Sequence, residues 1–191
     1  MVLGITGTIG SGKSTAADII TSEYGYQMIG TDQLAKRIMN EDPDCKRKLT
    51  EQFGADIYSE DGKISKERYR QLIFSSDTNR MISDGIIHPM VWDRVRRIAA
   101  EDTGGKYLVE TAVPDEEFRK ICDRILLITA DPDVRIERLM RDRGYTKEFA
   151  ENVISQQKSV EELKALADIT VDNSGSQAEL KKNLRTAVES L

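Results

Sequence analysis

The sequence predicts an α/β protein in which a five-stranded parallel sheet is flanked by helices. Compact apolar blocks recur along the chain, each beside glycine or polar turn residues, and such blocks are typical of buried strands. Helical patterns separate the blocks, and strands that alternate with helices form parallel sheets. The blocks predicted to be strands are residues 2–6, 26–30, 106–111, 124–129 and 167–171.

Residue types that begin and end helices support the helices that follow the last two strands. Asp131 is suited to a cap, Pro132 to a first turn, and Gly144 to the exit from a helix. Ser176 and Glu179 have the spacing of a capping box. The stretch 32–102 differs, because it has charged helical periodicity and no convincing strand. We interpret it as a helical insertion between the second and third strands.

Composition limits the class of protein. With 191 residues, the chain is long enough for one compact domain with an inserted lobe. Its formal charge of -5 argues against nucleic acid as the main partner. Cys45 and Cys122 fit neither a disulfide framework nor a metal-ligand spacing, which favours a reducing cytoplasm. No leader or bilayer-spanning apolar run is found, and no obligatory protein partner is indicated.

The most specific motif is "GTIGSGKS", residues 7–14, which fits G-x-x-x-x-G-K-[ST] between a predicted strand and a helix over residues 13–23. Its glycines allow backbone N–H groups to point at phosphate oxygens, and the helix adds the positive end of its dipole. In such a loop Lys13 would neutralise the β- and γ-phosphates, and Ser14 would ligate Mg2+. The motif therefore predicts a site for a nucleoside triphosphate with Mg2+.

Two other nucleotide-binding classes share parts of this pattern. Asp32 lies where a dinucleotide-binding loop would have its ribose-binding acid, but Thr15 stands where that loop needs its third glycine. A switch GTPase would normally show an N-K-x-D element, and none occurs. The D-x-x-G matches at Asp102 and Asp172 are too loose to indicate one.

Two carboxylates follow predicted strands at the edge where ligands bind in open α/β sheets. Asp32, just past the second strand, could accept a hydroxyl proton or help to hold Mg2+, whereas the structural alternative is a helix cap at Thr31 or Asp32. Glu110, at the end of the third strand, could act on the Mg2+ shell through water, or be a structural acid.

The segment "RLMRDRGYTKE" contains Arg138, Arg141 and Arg143 ahead of a second helix. Guanidinium groups suit the charge of a transferring phosphoryl group, and a helical hairpin is a usual form for a lid. Part of the segment is a solvated helix face, but we expect at least one arginine to reach phosphate, Arg141 ahead of Arg143. The expected division is a core of residues 1–31, 103–135 and 159–191, the helical insertion 32–102, and a lid 136–158.

In these elements the chain resembles the dephospho-coenzyme A kinase family across almost its full length. The matching segments are, in order, "ITGTIGSGKST", "TDQLAKRI", "FGADIYSEDGKISKERYRQLIF", "IIHPMV", "RLMRDRGYTKEFAENVISQQ" and "ADITVDNSG". The resemblance implies a P-loop kinase core with a helical substrate domain and a helical lid. It also implies transfer of the γ-phosphate of ATP to the ribose 3′-hydroxyl of dephospho-coenzyme A, the last step of coenzyme A synthesis.

The resemblance implies a role for individual residues. Three are expected to be catalytic: Asp32, which takes or orients the hydroxyl proton, Lys13 and Arg141. Those expected to bind ATP are Gly10, Ser11, Gly12, Lys13, Ser14, Thr15, Asn173 and Gly175, the last two near adenine. Those expected to contact the acceptor are Thr8, Asp32, His88 and Glu110. Ser14 is the expected Mg2+ ligand, with Asp32 or Glu110 acting through water.

One loop departs from the family pattern. Many members carry D-x-P-L-L-x-E after the third strand, whereas this chain reads "ETAVPDEE". Glu110 would then replace the first acid and Glu116 the last, with the proline displaced to Pro114. The runner-up interpretation is a P-loop kinase for another hydroxyl acceptor, and a nucleotide-binding regulator is the third.

His88 is the only histidine and precedes Pro89. A lone histidine is often a satisfied core residue, or a base near neutral pH. Phosphoryl transfer does not need a histidine base, so we expect His88 to hydrogen-bond the acceptor or a neighbouring loop from the helical insertion. Pro89 is expected to begin the helix that carries Val91 and Val95.

Overall fold

The computed structural model describes residues 1–102 and 104–191, which form two compact units. The core unit comprises Met1–Ile29 and Ala99–Leu191, and the helical unit comprises Gly30–Ile98. The corresponding expectation was a helical insertion over 32–102. Thr103, where the second part of the core was expected to begin, lies outside the described residues.

The five-stranded parallel sheet predicted from the apolar blocks is confirmed. Its strands are β1 (Val2–Gly7), β2 (Gln27–Gly30), β3 (Tyr107–Glu110), β4 (Arg124–Thr129) and β5 (Ile169–Asp172). They lie in the order β2-β3-β1-β4-β5, so β1 is central and has β3 and β4 as its parallel neighbours. After β1 the chain forms β2 and β3 on one side of this strand, and it then crosses to form β4 and β5 on the other side. The carboxyl end of β1 is therefore at the switch point, where open α/β sheets bind ligands.

Helices cover both faces of the sheet. On one face α1 (Lys13–Tyr24) and α10 (Gln177–Glu189) pack on each other and on the strands, where Leu3 and Ile5 of β1 are completely buried. On the other face lie α6 (Glu116–Ile121) and α9 (Val160–Lys164). Gly4 points to this second face, as the twofold alternation of a strand requires. A Cβ at Gly4 would lie 2.6 Å from Cζ of Phe118, so the glycine lets α6 approach β1 closely.

Most of the predicted starts and ends of helices are confirmed. The capping box of Ser176 and Glu179 begins α10, and Gly144 ends α7 (Pro132–Arg143) in the left-handed conformation with φ 66°. Asp131 precedes α7 as expected, but its side chain forms no capping hydrogen bond. The next helix, α8, spans Lys147–Ser155. The arginine-rich segment therefore forms a hairpin of two helices, α7 and α8.

The helical unit is built mainly from four helices and one short 3-10 helix. They are α2 (Thr31–Glu41), α3 (Pro43–Phe53), the 3-10 helix Ala55–Ile57, α4 (Lys66–Phe74) and α5 (Asp77–Glu101), which continues into the core unit. An isolated antiparallel bridge joins Tyr58 and Ile64. In the part of the chain that the structure describes, no helix is both long and apolar enough to cross a membrane.

The expectation that Pro89 begins a helix is wrong, because Pro89 lies inside the 25-residue helix α5. A proline inside a helix lacks the amide that would bond the carbonyl four residues earlier, and its ring crowds that carbonyl. Here that residue is Gly85, which is exposed and whose Cβ position is open. The carbonyl can be hydrated, so the helix continues through the proline.

The packing of α6 on β1 gives a stability prediction. Phe118→Ala should lower the free energy of unfolding by about 3–5 kcal/mol, because it removes a completely buried ring and leaves a cavity. Phe74→Ala is the matched control, since Phe74 is 79% exposed and its loss should change stability by no more than about 0.5 kcal/mol. Urea unfolding followed by circular dichroism measures both, and equal losses would contradict the assigned core.

Candidate functional site

The phosphate loop, residues 7–14, connects β1 to α1 and turns at two glycines. Gly10 has φ 78° and Gly12 has φ 83°, both in the left-handed region that disfavours side chains. Gly12 is also the N-cap of α1, so the loop leads directly into the positive end of a helix dipole. Successive amides in such a turn form a concave site for an anion. The predicted strand–loop–helix is therefore present with the backbone that phosphate binding requires.

Two arginines of α7 bind carbonyl oxygens of this loop. Nε of Arg135 donates to the carbonyl of Ile9 at 3.0 Å. Nη1 of Arg138 donates to the carbonyl of Gly10 at 3.4 Å, and its Nη2 donates to the carbonyl of Asn173 at 2.9 Å. Because both donors approach the loop from α7, this helix is a structural support of the loop.

Asn173, which follows β5, binds a third carbonyl oxygen of the phosphate loop. Its buried Nδ2 donates to the carbonyl of Ser11 at 2.7 Å. A Cβ at Gly12 would collide with this Nδ2, so the amide side chain and the glycine fit closely. Asn173 was singled out from the sequence for adenine, a role that stays a prediction. Gly175, singled out for the same role, is exposed and lies in the segment between Asn173 and α10.

Gln157 and Lys158 were not identified from the sequence, although both hold loops of the core unit. Oε1 of Gln157 accepts from the amide of Ile9 at 2.8 Å. Nζ of Lys158 donates to the carbonyl of Pro114 at 2.9 Å, in the loop after β3 where the chain departs from the family pattern. In the sequence, these two residues are marked only by being an adjacent polar pair directly before the capping box at Ser159, which begins α9.

Lys13 is paired with Glu110, as their positions after adjacent strands allow. Nζ of Lys13 lies 3.0 Å from Oε1 of Glu110, and both side chains are largely buried. Ser14 is exposed in the first turn of α1. A hydroxyl and one carboxylate suit Mg2+, which keeps most of its waters and binds through few protein groups and the substrate phosphates. The described residues contain no group of three or more histidine, cysteine, aspartate or glutamate side chains arranged for a metal.

Buried side-chain polar atoms that lack a hydrogen-bond partner are concentrated at the phosphate loop. Within residues 1–102 and 104–191 these are Oγ1 of Thr6, Oγ of Ser11 and Nη2 of Arg135. Burial also lowers the pKa of the Arg135 guanidinium. Thr8, an expected acceptor contact, is buried, and its carbonyl accepts from the amide of Ser11 at 3.1 Å. Unsatisfied groups of this kind are expected where a site is built for a ligand.

The arginine expected to act from the lid lies at the surface. Arg141 is 71% exposed, and its Nε and Nη2 donate to the carboxylate of Asp142 at 2.6 and 2.9 Å. These hydrogen bonds raise the pKa of Arg141. Arg143 is exposed as well. Arg135 and Arg138, rather than these two, contact the phosphate loop, and the role of Arg141 on the transferring phosphoryl group stays a prediction.

Asp32 and His88 belong to the helical unit. Asp32 is exposed in the first turn of α2, whose N-cap is Gly30, so neither it nor Thr31 is the helix cap. His88 is 38% exposed, and its Nε2 lies 3.7 Å from Oδ1 of Asp84 one turn earlier in α5. It is therefore not a core histidine.

The two cysteines do not provide a reactive group. Cys45 and Cys122 are free and buried. Burial raises the pKa of the Cys45 thiol to about 11 and that of Cys122 to about 12. Both stay protonated near neutral pH, and a protonated thiol is a poor nucleophile and metal ligand.

Comparisons with known proteins show which proteins the chain as a whole is similar to. The sequence profile of the dephospho-CoA kinase family matches residues 1–179. A dephospho-CoA kinase of Corynebacterium glutamicum is 31% identical over 191 residues, which cover 97% of each chain. A Thermus thermophilus protein of known structure has a TM-score of 0.76 at 26% identity, covering 100% of this chain and 97% of that one. A dephospho-CoA kinase from Campylobacter jejuni has a TM-score of 0.72 at 19% identity over 99% and 96% of the two chains, a likeness of fold.

The loop geometry predicts the effect of a side chain at Gly12. Gly12→Ala should weaken nucleotide binding at least tenfold, since a left-handed alanine costs about 1–2 kcal/mol and the new Cβ also collides with Asn173. Gly25→Ala is the matched control, because Gly25 ends α1 with φ 72° but has open space at its Cβ position. Titration calorimetry with a nucleotide should show normal affinity for the control. Equal affinity of the two variants would contradict the close fit.

Proposed function

The chain belongs to the dephospho-CoA kinase family and is a kinase of coenzyme A biosynthesis; from this premise we propose that it transfers the γ-phosphate of ATP to the ribose 3′-hydroxyl of dephospho-coenzyme A. ATP as the phosphoryl donor is supported by the phosphate loop, which leads directly into α1 and has Lys13 beside it. The family match over residues 1–179 carries the acceptor.

The donor is bound by the core unit in this proposal. The amides of residues 10–15 bind the phosphates of ATP, and the Lys13 ammonium neutralises the β- and γ-phosphates. Ser14 would ligate Mg2+, and Glu110, once Lys13 pairs with phosphate instead, would hold the metal's shell through water. When bound, Mg2+ would supply positive charge that lowers the repulsion between the phosphates and the attacking hydroxyl.

The acceptor hydroxyl is oriented by Asp32. α2 begins directly after β2, so the chain itself holds Asp32 within two residues of the carboxyl end of that strand. An exposed carboxylate there can accept the proton of the 3′-hydroxyl as this oxygen bonds to the γ-phosphorus and the bond from that phosphorus to the oxygen of the departing ADP breaks. Thr8 and His88 contact the acceptor, His88 through a half-buried imidazole that is accessible to a polar ligand.

The adenine and the lid complete the proposal. Asn173 and Gly175 line the adenine, which is supported by the contact of Asn173 with the loop that holds the phosphates. Arg141, in the last turn of α7, reaches the transferring phosphoryl group when this turn and α8 close over it, while Arg135 and Arg138 keep the earlier turns of α7 on the phosphate loop. The Arg141 side chain is 71% exposed and forms a surface ion pair with Asp142, an interaction that costs little to break. A reducing cytoplasm remains the expected compartment, supported by two free thiols.

A coupled assay of ADP release tests the function. With ATP, Mg2+ and dephospho-coenzyme A, the enzyme should release ADP at an acceptor-dependent rate of about 1–100 per second, the usual range for kinases. Coenzyme A is the matched control acceptor, because its 3′-position is already phosphorylated and it should support no turnover. No acceptor-dependent rate at saturating ATP would refute the proposal, and equal rates with both compounds would indicate ATP hydrolysis instead.

Replacing Asp32 tests its role as the base. Asp32→Asn should lower kcat at least about 100-fold while ATP affinity is kept, because a general base contributes that much to proton transfer. Asp77→Asn is the control, since Asp77 is also an exposed acid in the first turn of a helix of this unit. Asp77→Asn removes the same negative charge beside a helix N-terminus, and it should leave kcat unchanged. A near-normal kcat for Asp32→Asn would remove Asp32 from the chemistry.

A further inference from the structure

Arg135 is a buried cation beside the phosphate loop. Its side chain is 4% exposed, its Nε binds the carbonyl of Ile9, and its Nη2 is buried without a hydrogen-bond partner. The backbone of α7 also packs tightly here, since a Cβ at Gly10 would lie 2.9 Å from the carbonyl oxygen of Arg135. The guanidinium is therefore held in one place, close to the turn that binds phosphate.

No carboxylate compensates this charge among the described residues. The lowered pKa of Arg135 has burial as its cause, and no acid acts against it. A buried charge without an ionic partner is costly, and an incompletely bonded one is more so. Folding alone gives no reason to keep such a group, because a neutral side chain would fill the same space at lower cost. A negatively charged ligand that binds nearby would remove the cost.

We propose that Arg135 is a positioning residue for the polyphosphate of the nucleotide. Through the Ile9 carbonyl it holds the phosphate loop in the conformation that presents its amides, and its positive charge is balanced when phosphate binds. This inference rests on the proposed use of ATP and deepens it. Because a fixed positive charge attracts a ligand in proportion to the ligand's negative charge, Arg135 makes the site favour ATP over nucleotides with fewer phosphates.

The experiment compares affinities for ATP, ADP and AMP by titration calorimetry at one fixed ionic strength, without Mg2+ because the metal would offset the charge difference between the nucleotides. The wild-type protein is also titrated with ATP and Mg2+. The variants are Arg135→Gln, which keeps a neutral donor for Ile9, and Arg135→Lys, which keeps the charge. Arg185→Gln is the charge-matched control, because Arg185 is exposed in α10. The measured quantity is the ratio of the AMP to the ATP dissociation constant. Because Arg135→Gln keeps a donor for the Ile9 carbonyl and removes the charge, a fall in this ratio reports the charge.

In Arg135→Gln this ratio should fall about tenfold or more, whereas Arg135→Lys and Arg185→Gln should keep it within about threefold. An unchanged ratio in Arg135→Gln would overturn the inference, even if all affinities fell together. So would an Arg135→Gln protein that does not fold without nucleotide while Arg135→Lys does, because the charge would then serve the fold. Failure of the wild-type protein to bind ATP would instead refute the proposed donor, which the ratio does not address.

Discussion

A backbone turn keeps its amides directed at an anion when other donors bind its carbonyl oxygens, and here the strand order provides those donors. β4 leads into α7, which provides Arg135 and Arg138, and β5 leads to Asn173, so the side of the sheet beyond β1 supplies all three side-chain donors. On the other side β3 ends in Glu110, which holds Lys13. The loop is thus supported from both neighbours of the central strand, and the rest of the core unit keeps those neighbours in register.

The same arrangement concentrates energetic cost at one place. Among the described residues, the buried side-chain polar atoms without hydrogen-bond partners belong to Thr6, Ser11 and Arg135, all at or beside the loop. Elsewhere the sheet is stabilised by completely buried aliphatic side chains of β1, β3 and β4 packed under α1 and α10. This apolar core offsets the incompletely satisfied site, as is common where a protein is built to bind a charged ligand.

Local patterns predicted the fold well and the support of the site poorly. The strands were predictable because each is a short apolar block, and the phosphate loop because its glycines have fixed spacing. Pro89 was misplaced because its tolerance depends on the exposed Gly85 one turn earlier. Arg135 and Gln157 were missed because they bind Ile9 from 126 and 148 residues away, contacts that leave no local pattern. Arg138 stood in a segment noted for its arginines, but charge alone could not distinguish it from Arg141.

The burial of both cysteines has a chemical consequence for an enzyme of this family. Coenzyme A and its precursor end in a thiol, and once oxidised to a disulfide this group exchanges with accessible protein thiolates. Cys45 is completely buried, Cys122 is nearly so, and both resist forming thiolates. Mixed disulfides between protein and substrate are therefore disfavoured, and catalysis can proceed without the enzyme being trapped by the reactive end of its own ligand.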